Sequence, residues 1–245
     1  MWTSSDLEWL KENYPGIKEK SDKKLEGSLS FRMLSLDNQF IVNPTLDQIQ
    51  KTTASDYLYL CDTYRVRIEW ENEESYYPIS YEVGGKLEAT AKRLNKRPID
   101  MHQYSDSGAL CLVAPMDLDS TFLKGFQLNI YVENFLIPYL FAQSYYAKKQ
   151  VWLWGDLKHG VWGLLEWLGR KRSYTNSDVL LTYISLMRYT KEIELKKILG
   201  IRCRNHKPCP CGSGEKTQKC HPDIQPAISR LRSGINSGLM NFSRT

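Results

Sequence analysis

Apolar and polar residues alternate along much of the N-terminal half of the chain. The clearest stretch is 57–70, where the charged residues Arg65, Arg67 and Glu69 separate apolar ones. A period of two is typical of a strand in an antiparallel sheet that has one covered face. The apolar residues predicted to share that face are Leu58, Leu60, Tyr64, Val66, Ile68 and Trp70.

Shorter elements are predicted around this long strand. A first helix, capped by Ser4 or Ser5, is predicted to end at Pro15. Shorter strands are predicted over 29–33, 40–42 and 77–83. The N-terminal half therefore indicates a strand meander that follows an N-terminal helix.

Helical spacing of apolar residues replaces this alternation in the C-terminal half. A helix is predicted from Asp119, and Pro138 should kink or end it. Another helix is predicted to begin at 176–178 and to reach Leu199. The tryptophan-rich segments between these helices are expected to cover the sheet. Together the two halves predict an α+β fold.

Composition and charge narrow the class of protein. The chain has 245 residues, 42% of them hydrophobic and 25% charged, which is the balance of a folded protein. Its net charge of +5 is spread along the chain, and aromatic residues are not interleaved with Lys171 or with the tail residues Arg230, Arg232 and Arg244. Nucleic-acid binding is therefore the least favoured function. With no membrane-length apolar run and no signal sequence, we expect a cytosolic protein.

Four potential metal ligands lie close together near the C-terminus. Three thiols and one imidazole at this spacing are typical of a tetrahedral zinc site. The glycines at 212 and 214 allow the tight reversal that such a knuckle needs. Cys203 and His206 are alternative ligands. The four favoured ligands are Cys209, Cys211, Cys220 and His221.

This segment resembles a known zinc-binding family. Residues 202–222, with Gly-Ser-Gly at 212–214 and lysines at 216 and 219, are similar to the SEC-C motif found at the C-terminus of the SecA translocation ATPase. The resemblance implies zinc as the cofactor. It also implies a module that contacts a partner protein.

A second candidate site surrounds the lone Cys111. The polar segment from His102 to Gly108 precedes this cysteine, and leucines flank it on both sides. From the residues alone, Cys111 is either a buried structural thiol, which packs like a small hydrophobe, or a nucleophile at the edge of a turn. Cys61 lies within the predicted meander and is interpreted as a structural thiol.

The order of helix, meander, polar turn and cysteine resembles the ubiquitin-conjugating-enzyme fold, in particular its bacterial relatives from antiphage operons. The motif that carries the resemblance is a histidine, several polar residues, Gly108, any residue, an aliphatic residue and then Cys111 and Leu112. The segment 154–160, followed by Glu166, is also similar to those relatives. The resemblance implies that Cys111 carries a modifier or client protein as a thioester.

The same resemblance suggests roles for the neighbouring polar residues. Where the eukaryotic family has His-Pro-Asn, this chain has Met101, His102 and Gln103. Gln103 or His102 could donate a hydrogen bond to the oxyanion. His102 or Asp106 could orient or deprotonate the incoming lysine.

Partners and domain boundaries follow from the same comparison. The implied partners are a separate activating enzyme and either a ubiquitin-like modifier or a client such as a cyclic-nucleotide synthase. The predicted boundaries are a ubiquitin-conjugating-like domain over 1–172, a connecting helix over 173–200, the knuckle over 201–223 and a basic tail over 224–245. A non-catalytic adaptor, in which the knuckle recruits a partner protein, is the alternative function.

Overall fold

The computed structural model divides into two compact units. The first comprises Met1–Val113 and Thr121–Gly155, and the second comprises Ala114–Ser120 and Asp156–Thr245. The residues that the structure describes are 2–36, 39–50, 58–72, 75–153, 160–201 and 206–240. The domain boundaries predicted from the sequence stay a prediction.

An antiparallel sheet forms the centre of the first unit, and the α+β class is confirmed. Across the described residues the strand order is β1-β2-β4-β5, with β3 paired to β2. The strands are β1 Ile17–Ser21, β2 Lys24–Leu36, β3 Gln39–Val42, β4 Leu58–Glu69 and β5 Ile79–Glu82. The long strand β2 pairs with β4 from Lys24 opposite Glu69 to Ser35 opposite Leu58. Because β4 occupies the other edge of β2, β1 and β3 share the remaining edge, where they pair with opposite ends of β2.

The alternation read from the sequence describes β4 correctly. Leu60, Tyr64, Val66 and Ile68 are buried on one face. Asp62 falls in the same alternation, and three partners explain why a carboxylate is tolerated there. Ser144 Oγ donates to Asp62 Oδ2 at 2.6 Å, and Lys86 and the backbone N–H of Thr63 also donate to this carboxylate. Partial burial tends to raise the pKa of Asp62, but these hydrogen bonds outweigh it and lower the pKa.

Helices cover one side of this sheet, and α6 packs against both β2 and β4. The cap of α1 is Thr3, one residue before the predicted serines, because Thr3 and Asp6 form a reciprocal capping box. The helices between the N-terminus and Gly155 are α1 Ser4–Asn13, α2 Leu46–Gln50, α3 Lys86–Arg93, α4 Pro115–Phe122, α5 Leu128–Tyr131 and α6 Ile137–Lys149.

Pro138 does not end its helix, contrary to one of the two outcomes predicted for it. A π-helical turn at Val132–Leu136 connects α5 directly to α6, so the chain is helical throughout 128–149. Proline has no N–H for the usual bond to the carbonyl four residues earlier. The wider turn just before Pro138 is a recognised way for a helix to absorb such an interruption.

Within the described residues, the second unit contains most of α4 and five further helices. The prediction of a single helix from 176 to Leu199 is wrong, because Thr190 and Lys191 are not helical and separate two helices. The backbone of Thr190 is extended. The Thr190 hydroxyl and the Lys191 N–H both donate to the Glu194 carboxylate, and these bonds cap the start of the next helix. The helices are α7 Gly160–Arg170, α8 Asn176–Tyr189, α9 Glu192–Gly200, α10 Thr217–Cys220 and α11 Ile224–Asn236.

Two arginines of the predicted basic tail bind the ends of helices. Arg230 donates to the carbonyl oxygens of Leu168 and Lys171, at the end of α7. Arg232 donates to the carbonyl oxygens of Leu199 and Ile201, at the end of α9. Cations are favoured at helix C-termini, so both arginines help to hold the helical unit together. Arg244 lies outside the described residues.

No helix in the described part of the chain has both the length and the apolar character needed to cross a membrane.

Candidate active site and metal centre

Residues 102–111 form a hairpin, here called the Cys111 hairpin. The Cys111 N–H donates to the His102 carbonyl at 2.8 Å, and the Tyr104 N–H donates to the Ala109 carbonyl at 2.9 Å. Gly108 closes the turn with a φ of 73°, a left-handed conformation that glycine adopts without strain. The predicted pair His102 and Cys111 is therefore brought together through the backbone, at the base of the hairpin.

This hairpin is attached to strand β5. The Leu110 N–H donates to the Ser80 carbonyl at 2.8 Å, and Ala109 forms a bridge with Tyr81. Ala109 and Leu110 are buried, whereas Cys111 is half-buried. The sheet thus fixes the residues directly before the thiol and leaves the thiol at the margin of the core.

The environment of the Cys111 thiol favours its neutral form. Burial raises the pKa of Cys111 above its ordinary value, and a hydrogen bond from Tyr104 opposes this shift. Sequence reasoning missed Tyr104. The hairpin register could have identified it. Tyr104 lies two residues after His102 and on the same face, and Cys111 lies opposite His102 on that face.

His102 has a constrained backbone. Its φ of 52° and ψ of 44° are left-handed, which is uncommon for a residue other than glycine. Its imidazole packs edge-on against Trp152 with ring centres 4.6 Å apart. Its carbonyl accepts from the Cys111 N–H and also from the Tyr139 hydroxyl at 3.2 Å.

The other two predicted site residues occupy different parts of the hairpin. Gln103 is half-buried and opposite Leu110, and its N–H donates to the Pro98 carbonyl at 3.0 Å. Asp106 is exposed at the tip, where its carboxylate accepts from the Ser107 N–H at 2.8 Å. Asp106 is therefore at the opposite end of the hairpin from Cys111.

The second motif of the bacterial resemblance is only partly described. Residues 154–159, including Asp156 and His159, lie outside the described residues. Gly160 begins α7, and Glu166 is buried in that helix with Arg170 Nη2 at 3.6 Å from its carboxylate.

Replacing Tyr104 by phenylalanine is expected to raise the pKa of Cys111 further. The hydroxyl lowers the pKa of this thiol, so its loss should slow alkylation by iodoacetamide several-fold at pH 8. The alkylation rate would be measured across pH by mass spectrometry of the Cys111 peptide. Every protein compared would also carry Cys61→Ser. Tyr76→Phe alters an exposed tyrosine and is the matched control. An unchanged pH profile in Tyr104→Phe would contradict the hydrogen bond.

The four predicted metal ligands come together as one cluster in the second unit. Their ligand atoms all lie within 4.8 Å of one another. His221 Nδ1 is 3.2 Å from Cys209 Sγ and 3.1 Å from Cys220 Sγ, and the sulfurs of Cys211 and Cys220 are 3.5 Å apart. A tetrahedral ion with bonds of about 2.0–2.3 Å needs ligand separations of about 3.3–3.8 Å, which are within a few tenths of an ångström of these three distances. These residues could therefore hold a metal ion.

Local backbone bonds bring these ligands together. The Cys209 N–H donates to the Glu215 carbonyl at 2.7 Å, and the Thr217 N–H donates to the Lys207 carbonyl at 2.9 Å. Both bonds close the loop that carries Cys211. Gly212 and Gly214 have φ values of 84° and 79°, so the predicted glycine reversal is confirmed. Helix α10 then presents the last two ligands from its C-terminal end.

Burial and mutual repulsion make it unfavourable for the three cysteines of this cluster to ionise together without a cation. Cys209, Cys220 and His221 are buried, and Cys211 is half-buried. Burial raises the pKa of Cys209 to about 12. Burial also acts on Cys211, but hydrogen bonds led by Ser213 outweigh it and lower the pKa of that thiol. Three adjacent sulfurs can all ionise only when a cation compensates their charge, which fits a metal site.

Of the two alternative ligands, only His206 lies among the described residues. His206 is exposed and is not a member of the cluster. Cys203 lies outside the described residues. No family model, curated protein or solved structure matches the chain.

Proposed function

We propose that this protein is a ubiquitin-conjugating-like transferase that carries a modifier or client protein as a thioester on Cys111. The observation that supports this most is the position of the thiol. Cys111 is a half-buried residue at the base of a hairpin bonded to the last strand of an antiparallel sheet, and an N-terminal helix precedes that sheet. This is the order in which the ubiquitin-conjugating family presents its cysteine.

In the proposed reaction, the sulfur of Cys111 attacks the thioester carbonyl of a modifier held by the activating enzyme. A new carbon–sulfur bond forms, and the activating enzyme's thiol leaves with the proton. A lysine amine then attacks the carbonyl, the amide forms and Cys111 regains its thiol. Exchange between thioesters is nearly isoenergetic, so the chain mainly has to position the reacting groups.

The hydrogen bonds at the hairpin support separate roles within the proposed reaction. Tyr104 donates to the sulfur and stabilises its negative charge when Cys111 is expelled. The backbone N–H groups of Cys111 and Gln103 are already bonded to His102 and Pro98. We therefore favour a side-chain donor, Gln103 or His102, for the oxyanion. Asp106 is at the tip of the hairpin, so His102 is the better placed of the two residues suggested to orient the lysine.

The neutral state of the thiol bears on when the proposed reaction occurs. Because burial raises the pKa of Cys111, little thiolate is present in the free protein at pH 7. Acylation is therefore expected to require the docked activating enzyme and not merely a dissolved thioester. The proposed partners are that enzyme, on a separate chain, and a ubiquitin-like modifier or a client such as a cyclic-nucleotide synthase in a bacterial antiphage system.

For the metal centre we propose zinc in a structural role. The four residues Cys209, Cys211, Cys220 and His221 would complete the tetrahedral coordination of such an ion and would leave no position for a substrate. Three of them are buried, which further favours a structural ion over a catalytic one.

Cys111→Ser is expected to convert the transient thioester into a stable oxyester. With activating enzyme, modifier and ATP present, wild-type protein should form an adduct that hydroxylamine cleaves rapidly. The serine variant should form one that resists thiols, and both would be read by intact-mass spectrometry. Cys61→Ser, at an exposed cysteine on β4, should acylate like wild type. Wild-type protein that is never acylated under these conditions would exclude the transferase.

One observation favours a second function, the non-catalytic adaptor. The raised pKa of Cys111 is also what a structural thiol would show. An adaptor predicts that iodoacetamide labels Cys111 only after denaturation. A transferase predicts labelling of the folded protein, with a rate that rises with pH.

A further inference from the structure

We propose that Tyr139 and Gln143 are positioning residues for Cys111, acting through the backbone of the Cys111 hairpin. Both belong to α6, one helical turn apart, and so lie on the same face of that helix. The Tyr139 hydroxyl donates to the carbonyl oxygens of Met101 and His102, at 3.1 and 3.2 Å. Gln143 Nε2 donates to the Met101 carbonyl at 2.7 Å.

These bonds lead directly to the reactive residue. The His102 carbonyl that Tyr139 binds also accepts the N–H of Cys111. One oxygen atom therefore links the helix to the backbone of the cysteine. Tyr139, Gln143 and Met101 are all buried, so water does not compete readily for these bonds.

The conformation of His102 explains why such support is needed. A left-handed backbone is unfavourable for a residue with a side chain, and it persists only where the surroundings hold it. Here the carbonyl of His102 is held by two donors and its ring packs against Trp152. Trp152 in turn stacks on Tyr146 of α6, with ring centres 4.2 Å apart. Helix α6 thus holds His102 from its backbone and from its side chain.

The hydrogen bonding of Gln143 supports a role for its amide group in holding the base of the hairpin. Its Oε1 is buried and has no hydrogen-bond partner, whereas its Nε2 bonds to the Met101 carbonyl. An apolar residue of similar size would avoid the cost of that unpaired oxygen. The bonds from Gln143 to the Met101 carbonyl and to the Tyr139 hydroxyl compensate for that cost, and both support the hairpin contacts.

The π-helical turn contributes to this geometry. It ends at Leu136, three residues before Tyr139, and one residue inserted in a helix rotates everything after it by about 100°. The insertion therefore helps to determine which face of α6 carries Tyr139 and Gln143.

The inference rests on the proposed function for its effect on acyl transfer, but its effect on the thiol can be measured without transfer. In Tyr139→Phe, two carbonyls lose a donor and the base of the hairpin should open more often. We expect Cys111 to be alkylated by iodoacetamide about tenfold faster at pH 8. Its pH profile should move toward that of an exposed thiol. Among the described residues, the ionisable side chains that act on this thiol are Tyr104 and Tyr139, and Tyr104 remains in the variant.

Two further variants make the comparison specific. Tyr14→Phe is the matched control, because Tyr14 is also buried and its hydroxyl also makes two hydrogen bonds, with Glu133 and Asn43. It should lose similar stability and leave Cys111 labelling unchanged. Gln143→Met removes the second donor to Met101 while keeping an apolar side chain of similar length. It should accelerate labelling in the same direction and provides a test if Tyr139→Phe does not fold.

The outcomes separate the inference from the proposed function. If Cys111 labelling rises equally in Tyr14→Phe and Tyr139→Phe, or in neither Tyr139→Phe nor Gln143→Met, the positioning role is wrong. If labelling responds as expected and wild type is never acylated, the transferase is wrong while the hairpin contacts stand. If both hold, transfer from acylated Cys111 should fall about tenfold or more in Tyr139→Phe with little change in the concentration of modifier needed.

Discussion

Cys220→Ala is expected to unfold the helical second unit and to abolish stoichiometric zinc binding. Metal binding in small structural zinc sites supplies about 10–16 kcal/mol, which is comparable to or larger than the whole stability of a typical domain, about 5–15 kcal/mol. The wild-type protein should contain about one zinc per chain by elemental analysis. Treatment with a strong chelator should reproduce the effect of the substitution.

The packing around the cluster is the reason for so large an effect. Cys209 and Cys220 belong to the same buried hydrophobic cluster as Leu164, Trp167 and Leu195. Two of the sulfurs that would bind the ion thus belong to the same core as side chains of α7 and α9. Without zinc, adjacent buried thiols would have to stay protonated or separate, and separation would open this core.

Circular dichroism and calorimetry would follow this prediction. In Cys220→Ala, the circular-dichroism signal from the helices of the second unit should be lost, and the zinc content of the protein should fall. Cys61→Ala, at an exposed cysteine outside the cluster, should keep both. Full helical content in a zinc-free protein would show that the cluster does not stabilise this unit.

Gly169→Ala is the second substitution with a large expected effect. A Cβ at this position would lie 1.8 Å from the carbonyl oxygen of Asp223 and 2.7 Å from its carbonyl carbon. Backbone atoms cannot move aside as a flexible side chain can, so α7 and the start of α11 would have to separate. We expect the free energy of unfolding of the second unit to fall by about 3 kcal/mol or more.

Gly200→Ala provides the matched comparison for this prediction. Gly200 is the last residue of α9, and a Cβ there would have nothing within 4 Å. Alanine favours helix more than glycine does, so this variant should be neutral or more stable by up to about 1 kcal/mol. Urea unfolding monitored by tryptophan fluorescence would measure both. Equal stability of the two variants would contradict the close approach of α7 to Asp223.

The sequence predicted elements best where one local rule operates. The two-residue alternation identified β4 and its buried face. Asp62 is a polar exception on that face, and it is tolerated because Ser144 donates a hydrogen bond to it and Lys86 compensates its charge. Helix ends were predicted less well, since Thr3 and Thr190 act through capping bonds to residues three or four positions away. Several residues near each end could serve as the cap, and only the folded backbone selects one.

The two candidate sites differ in how much of them the sequence could supply. All four ligands of the metal centre lie within thirteen residues, so their short spacing and two glycines were sufficient to predict the cluster. At Cys111, the residues that touch the thiol or its backbone include Tyr104 and His102, which are near in sequence, and Tyr139, which is far away. No local pattern relates position 139 to position 102.

By itself, the sequence determined the α+β class, the strand β4 with its buried face, and the Cys/His cluster, because periodicity and ligand spacing are local properties of the chain. Only the tertiary structure decided that Arg230 and Arg232 bind helix ends, that the Cys111 thiol has a raised pKa, and that α6 holds the carbonyl of His102. Burial and contacts between distant segments arise only when the chain has packed. For this reason the candidate nucleophile was visible in the sequence, whereas the groups that control it were not.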